Sequence, residues 1–293
     1  MGCGSWTSKS FTSYANSRGM DVSTSGAILG NYSNQEIFKS RSINPALSPV
    51  NIMRECCDND EHPNTVPVVL GLDVTGSMGD AAVEIAKKLN VIMTKLYEKV
   101  TDVEFMIMGI GDLSYDDCPI QISQFESDIR IAEQLDKLYF EFGGGGNGFE
   151  SYTVAWYMGS RHTKLDCLSR GKNGIIITIG DEQLNPYLPL RGRYCGLEDA
   201  TGDKLQADIE TKDLYEETSK KFNIYHLDVQ HGRRWDEDEI ETSFKKYLKD
   251  DHFRRVSMDS IANEIVDIVV SEVENNKTEE PVIASENSEG IIW

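Results

Sequence analysis

Asp73, Thr75 and Ser77 stand at alternate positions where an apolar run meets a helix-like segment. They present one carboxylate and two hydroxyls from a single strand-to-helix turn. All three side chains end in oxygen, the donor that suits a hard divalent cation, and a small ion such as Mg²⁺ would keep some waters as well. The plainer alternative is that Asp73 and Thr75 cap the following helix, since both residue types favour helix starts.

The elements around this turn alternate. Residues 66–72 and 103–110 are continuous apolar runs, expected for strands buried on both faces. Residues 175–179 read the same way, 119–125 as a short alternating edge strand, 224–229 as a further strand, and 253–257 as a final short strand. Helical periodicity marks residues 80–100, 129–140, 151–161, 209–222, 236–248 and 261–273. The fold class is therefore α/β, a doubly wound, mostly parallel sheet with helices on both faces. In such a sheet, ligands bind at the carboxyl ends of the strands.

Three groups of side chains fall on that edge. The first is Asp73, Thr75 and Ser77. The second is the glycine run at 143–148, with Asn147, followed by Glu150 and Ser151. The third is Asp181, directly after the strand at 175–179. Asp112, after the second strand, is read either as a supporting carboxylate or as a plain turn residue. The glycine run does not suit a phosphate loop, because no Lys-Ser/Thr follows it.

With these residues in view, the chain resembles the von Willebrand factor type A family, over about residues 65–275. That family's metal-ion-dependent adhesion site uses an Asp-x-Ser-x-Ser turn, a Thr in a later loop and an Asp after a further strand. Asp73-Val74-Thr75-Gly76-Ser77-Met78 is similar to the first element, and Ile177-Thr178-Ile179-Gly180-Asp181 to the last. The middle element departs from the common Gly-Gly-x-Thr pattern. Counting back from Ala155, the Thr position falls on Glu150, and some intracellular members carry a glycine run followed by Glu. The resemblance thus implies a metal site of Asp73, Thr75, Ser77, Glu150 and Asp181, with Asn147 and Ser151 as alternatives to Glu150. Mg²⁺ is the expected ion, with Mn²⁺ or Ca²⁺ as alternatives.

The composition is that of an ordinary globular chain: 293 residues, 39% hydrophobic and 27% charged. The net charge of −20 argues against nucleic acid or an anionic membrane as a partner. No apolar run approaches the ~18 residues that a membrane helix needs. The six cysteines are scattered without a C-x-x-C pair, which argues against zinc. They are read as reduced thiols in a cytosolic setting, with no signal peptide ahead of them. Met1-Gly2-Cys3 invites a lipidation reading, but Trp6 stands where the myristoylation pattern wants Ser or Thr.

Three regions are expected: an N-terminal extended arm and lead-in loop at 1–64, a type A-like domain at 65–275, and an acidic flexible tail at 276–293. The arm carries Trp6, Phe11 and Tyr14, and should dock on a surface, its own or a partner's. Arg233, Arg234 and Trp235 form a small basic-aromatic surface spot. The expected function is a non-enzymatic, metal-dependent protein-interaction or adaptor module that binds a partner's acidic side chain. The resemblance adds an AAA+ ATPase of the MoxR or chelatase type as a candidate partner. One alternative is a Mg²⁺-dependent phosphohydrolase with Asp73 as nucleophile. There, haloacid-dehalogenase-like enzymes place an acid two residues on, where this chain has Thr75. A self-assembling structural component is the other alternative.

Overall fold

The computed structural model describes residues 4–117, 119–141, 148–230 and 236–278, with the backbone alone for 276–278. Cys3, Cys118, the glycines at 143–146, Asn147, the spot at 233–235 and the expected tail beyond 278 lie outside the described residues.

Six strands form the central sheet: β1 (Val66–Asp73), β2 (Val103–Ile110), β3 (Ile120–Ile122), β4 (Gly174–Gly180), β5 (Phe222–Val229) and β6 (Phe253–Val256). Their spatial order is β6-β5-β4-β1-β2-β3. All neighbours run parallel except β2 and β3. β1 is central, paired to β2 on one side and to β4 on the other. Side chains alternate across the strands. Val68, Leu70 and Leu72 join Ile175, Ile177 and Ile179 in one apolar layer, while Val69 and Ile176 point into the other. Burial on both faces is why these strands are apolar throughout.

Helices cover both faces. The first layer packs α1 (Ser8–Ser17), α2 (Gly79–Tyr97), α3 (Arg130–Leu135) and α7 (Ile261–Thr278) against the sheet. The second takes α4 (Thr153–Arg161), α5 (Thr211–Thr218) and α6 (Glu237–Lys245).

The N-terminal region differs from an extended arm in one respect: it contains helix. Thr7 caps α1 by accepting from the Ser10 N–H, and Phe11 and Ala15 turn inward. Trp6 Nε1 donates to Asn90 Oδ1 of α2 at 2.9 Å. Asn90 Nδ2 in turn donates to the Gly26 carbonyl at 3.1 Å, and Asn34 Nδ2 to that of Gly79 at 3.3 Å. The Ile28 N–H donates to the Lys87 carbonyl at 3.0 Å. The surface on which these aromatics dock is the chain's own.

Other boundaries moved for tertiary reasons. The helix expected over 209–222 is only Thr211–Thr218. Ile209–Glu210 pairs instead with Tyr187–Leu188, and Phe222 opens β5. The last helix continues to Thr278, past the expected end at 273. β3 is shorter than expected, and all three of its residues are buried instead of alternating.

Candidate metal centre

The chain leaves β1 toward β2 on one side and later enters β4 on the other, so the crevice between β1 and β4 is the switch point of the sheet. Asp73 ends β1, and Asp181 follows β4 directly. Leu72 pairs with Ile179, which brings the two strand ends level, and Asp181 is near enough to act on the charge of Asp73.

The turn after β1 folds back on its own carboxylate. Thr75 donates its N–H and its hydroxyl to Asp73 Oδ1 at 2.9 and 2.5 Å. A single 3₁₀ turn, Gly76–Met78, then leads into α2. Exposed Ser77 donates its hydroxyl across the crevice to Asp181 Oδ1 at 3.1 Å. Four of the five candidate ligands therefore form two hydrogen-bonded pairs. Asp73, Thr75 and Asp181 are buried.

The fifth, Glu150, is not in an irregular loop. It sits in the two-residue strand Phe149–Glu150, paired in parallel with Gln183–Leu184 just after Asp181. Glu150 is 5% exposed, and among the described residues its buried Oε2 has no hydrogen-bond partner. Burial above all, then the charges of Asp73, Asp116, Asp112 and Glu182, push its carboxyl well above the usual range. Asp73 is pushed up to about 7, first by burial and then by Asp181, against the lowering effect of the Thr75 hydrogen bonds. Burial removes the water that would solvate each charge, and neighbouring acids add to the shift.

Ser151 is committed elsewhere. Its Oγ accepts from the Leu113 N–H and from Asn185 Nδ2, both at 3.0 Å. It also lies 3.5 Å from Asp112 Oδ1, which accepts the Ser114 N–H at 2.8 Å. Asp112 thus ties the loop after β2 and supports Ser151.

Tyr152 is a participant that sequence reasoning missed. Its hydroxyl donates to Asp73 Oδ2 at 2.9 Å and accepts the Glu182 N–H at 3.2 Å. The ring fits because position 180 is glycine: a Cβ there would lie 1.9 Å from the Tyr152 hydroxyl. No periodicity marks Tyr152, and Gly180 ahead of Asp181 is the one trace of it in the sequence.

A divalent cation suits this donor set. The groups are hard oxygens, and Glu150, whose Oε2 has no hydrogen-bond partner among the described residues, is under the charges of Asp73, Asp116, Asp112 and Glu182. Among the described residues, no group of three His, Cys, Asp or Glu side chains is disposed to hold an ion by itself. An ion here would therefore depend on the Thr75 and Ser77 hydroxyls, and on water, beside the acids. A cavity of about 470 Å³ lined by Thr65, Pro67, Arg170 and Lys172 lies at the start of β1, the opposite edge of the sheet, and takes no part.

Solved structures share the fold. Pilus adhesin SpaC from Lactobacillus rhamnosus GG is similar over 77% of this chain and 32% of that chain, at 14% identity and a TM-score of 0.50. The chain has a doubly wound α/β fold, which it shares with that adhesin. An open conformation of SpaC matches at 13% identity and a TM-score of 0.49, over 77% of this chain and 31% of that chain. The vWF domain of the type V pili tip protein Mfa5 from Porphyromonas gingivalis matches at 12% identity and a TM-score of 0.47, over 74% and 97%. This chain thus spans less than a third of SpaC's length. Identities this low speak to fold alone. No family model and no curated protein matches the chain.

Proposed function

We propose that this chain is a non-catalytic, divalent-cation-dependent protein-interaction module, in which Asp73, Thr75, Ser77, Glu150 and Asp181 hold one ion and a partner's acidic side chain completes its shell. The observation that carries the reading is Glu150: a buried carboxylate whose Oε2 has no hydrogen-bond partner among the described residues, under the charges of Asp73 and other acids. A bound cation supplies the charge that these acids lack and an acceptor site for a partner's carboxylate, so ion and partner would bind with positive linkage. Mg²⁺ is the expected ion, with Mn²⁺ and Ca²⁺ as alternatives. An AAA+ ATPase is the candidate partner that the family resemblance suggests. A cytosolic setting belongs to the same proposal. Among the described residues, Cys56, Cys57 and Cys167 form no disulfide, which supports it.

The hydrolase alternative is weaker on chemistry. A phosphohydrolase of that kind would place a proton-donating acid two residues after Asp73, where this chain has Thr75, whose hydroxyl is given to Asp73 Oδ1. Titration calorimetry with Mg²⁺, Mn²⁺ and Ca²⁺ tests the main reading. Binding in the parent that vanishes in a folded Asp73→Ala variant is expected. Equal affinity in that variant would refute the site, and Mg²⁺-dependent turnover of a generic phosphate ester would favour the hydrolase.

A further inference from the structure

We infer that the tip of the insertion after β4, residues 191–194, together with Tyr115, forms a docking surface for an acidic segment of a partner protein beside the candidate metal centre. The inference rests on the interaction reading above and adds the chemistry of the partner.

The tip exposes large side chains. Tyr194 is 59% exposed and Tyr115 39%. Arg191 and Arg193 are exposed as well, and the Arg193 guanidinium carbon lies 5.1 Å from the centroid of the Tyr194 ring. Rings and guanidinium groups of this kind are enriched at the centres of protein interfaces.

The tip is also tightly seated. The Arg193 N–H donates to the Ser114 carbonyl at 2.9 Å, and the Leu190 N–H to Asp208 Oδ1 at 2.8 Å. A Cβ at Gly192 would lie 1.9 Å from the Leu113 carbonyl, and one at Gly196 2.6 Å from that of Leu190. The exposed rings thus stand on backbone already fixed in place. A partner meeting them would lose little conformational freedom in ordering this side of the contact.

The tip is continuous with the metal centre. Leu113, in the loop that receives Arg193, donates to Ser151 Oγ, and Asn185 at the start of the insertion donates to the same oxygen. Ser151 directly follows Glu150. Both the insertion and the Tyr115 loop are therefore fastened to the residue beside the candidate ligand.

Charge selects the partner. The chain carries a net charge of −20, yet two arginines stand together at this tip. A cation at the acids and guanidinium groups at the tip would both attract carboxylates. One acidic segment satisfies both, with one carboxylate at the ion and a second at Arg191 or Arg193.

The test uses the full chain and labelled synthetic peptides in fluorescence anisotropy with Mg²⁺. One series carries two Glu residues separated by one to five glycines, and the control series carries Gln in place of the second Glu. At least one two-Glu peptide should bind the parent more tightly than its control, by about fivefold, the scale of one exposed ion pair. The R191S/R193S double variant should lose that difference while keeping the control affinity and the melting temperature. Equal binding of both series, binding of neither, or a difference that survives in the variant would overturn the inference. The metal reading fails separately. If tight binding persists in EDTA and in Asp73→Asn but falls in R191S/R193S, the docking surface stands and the ion does not.

Discussion

The Tyr152 hydroxyl reaches Asp73 Oδ2 at 2.9 Å through the space that Gly180 leaves open on the neighbouring strand. This contact joins the helix after the glycine run to the strand end that carries the first candidate ligand. A donor aimed at a buried carboxylate favours its ionised form. Tyr152→Phe should therefore raise the Asp73 pKa and weaken Mg²⁺ binding near pH 6.5, where protons compete with the ion. The loss should shrink at pH 8.5. Calorimetric titration at the two pH values checks this, and an equal loss at both would count against the proton-competition account.

Gly180→Ala tests the same contact sterically. The added methyl would overlap the Tyr152 hydroxyl. Overpacking of this kind costs about 1–3 kcal/mol. Chemical denaturation should show that loss, and combining it with Tyr152→Phe, which removes the clashing oxygen, should restore part of it.

Asp73 makes stability depend on pH. Its folded pKa of about 7 lies above the unfolded carboxylate value, so the folded state binds the extra proton. The stability it contributes is fully present below about pH 4 and is lost as pH rises through about 7. Glu104, at about 7, and Asp116, at about 6, act with the same sign. In EDTA, the parent should lose stability between pH 5 and pH 8, and Asp73→Asn should lose less. Added Mg²⁺ should stabilise the parent more at pH 8 than at pH 5.

Glu150→Gln should move two quantities in opposite directions. Without metal, it removes a buried acid that must be protonated or carry a charge beside other acids, so the variant should be more stable than the parent in EDTA. With metal, it removes a charged ligand, so Mg²⁺ affinity should fall on the order of tenfold or more. Glu150→Thr, the commoner family pattern, should weaken Mg²⁺ binding too. Unchanged affinity in both variants would remove Glu150 from the site.

Trp6→Ala probes the N-terminal segment. It empties a buried ring site and leaves Asn90 Oδ1 without its donor. The expected cost is about 3–5 kcal/mol. Thermal unfolding measures it, and a loss below about 1 kcal/mol would show that the segment contributes little to the fold.

The sheet was legible because its strands are buried on both faces and therefore read as unbroken apolar runs. Val103–Ile110 was bounded to the residue for that reason. The turn at Asp73 was legible because its chemistry is local, within five residues. Tyr152 was not, because its bond to Asp73 joins positions far apart in the chain and no spacing records it. Residues 209–222 failed for a related reason. Ile209 and Phe222 are apolar as a helix face would be, but each serves a strand instead. Helix α1 was hidden in polar Ser, Thr and Asn, with only Phe11 and Ala15 fully inward.

The segment ahead of the sheet acts on α2 as a splint. It is bonded to that helix at Asn90, at Lys87 and at Gly79, two residues beyond Ser77. A helix held at its first residue and at mid-length cannot slide along its axis without breaking these bonds together. The turn carrying Thr75 and Ser77 is thereby an anchored part of the molecule, its place set by a segment that lies outside the sheet altogether.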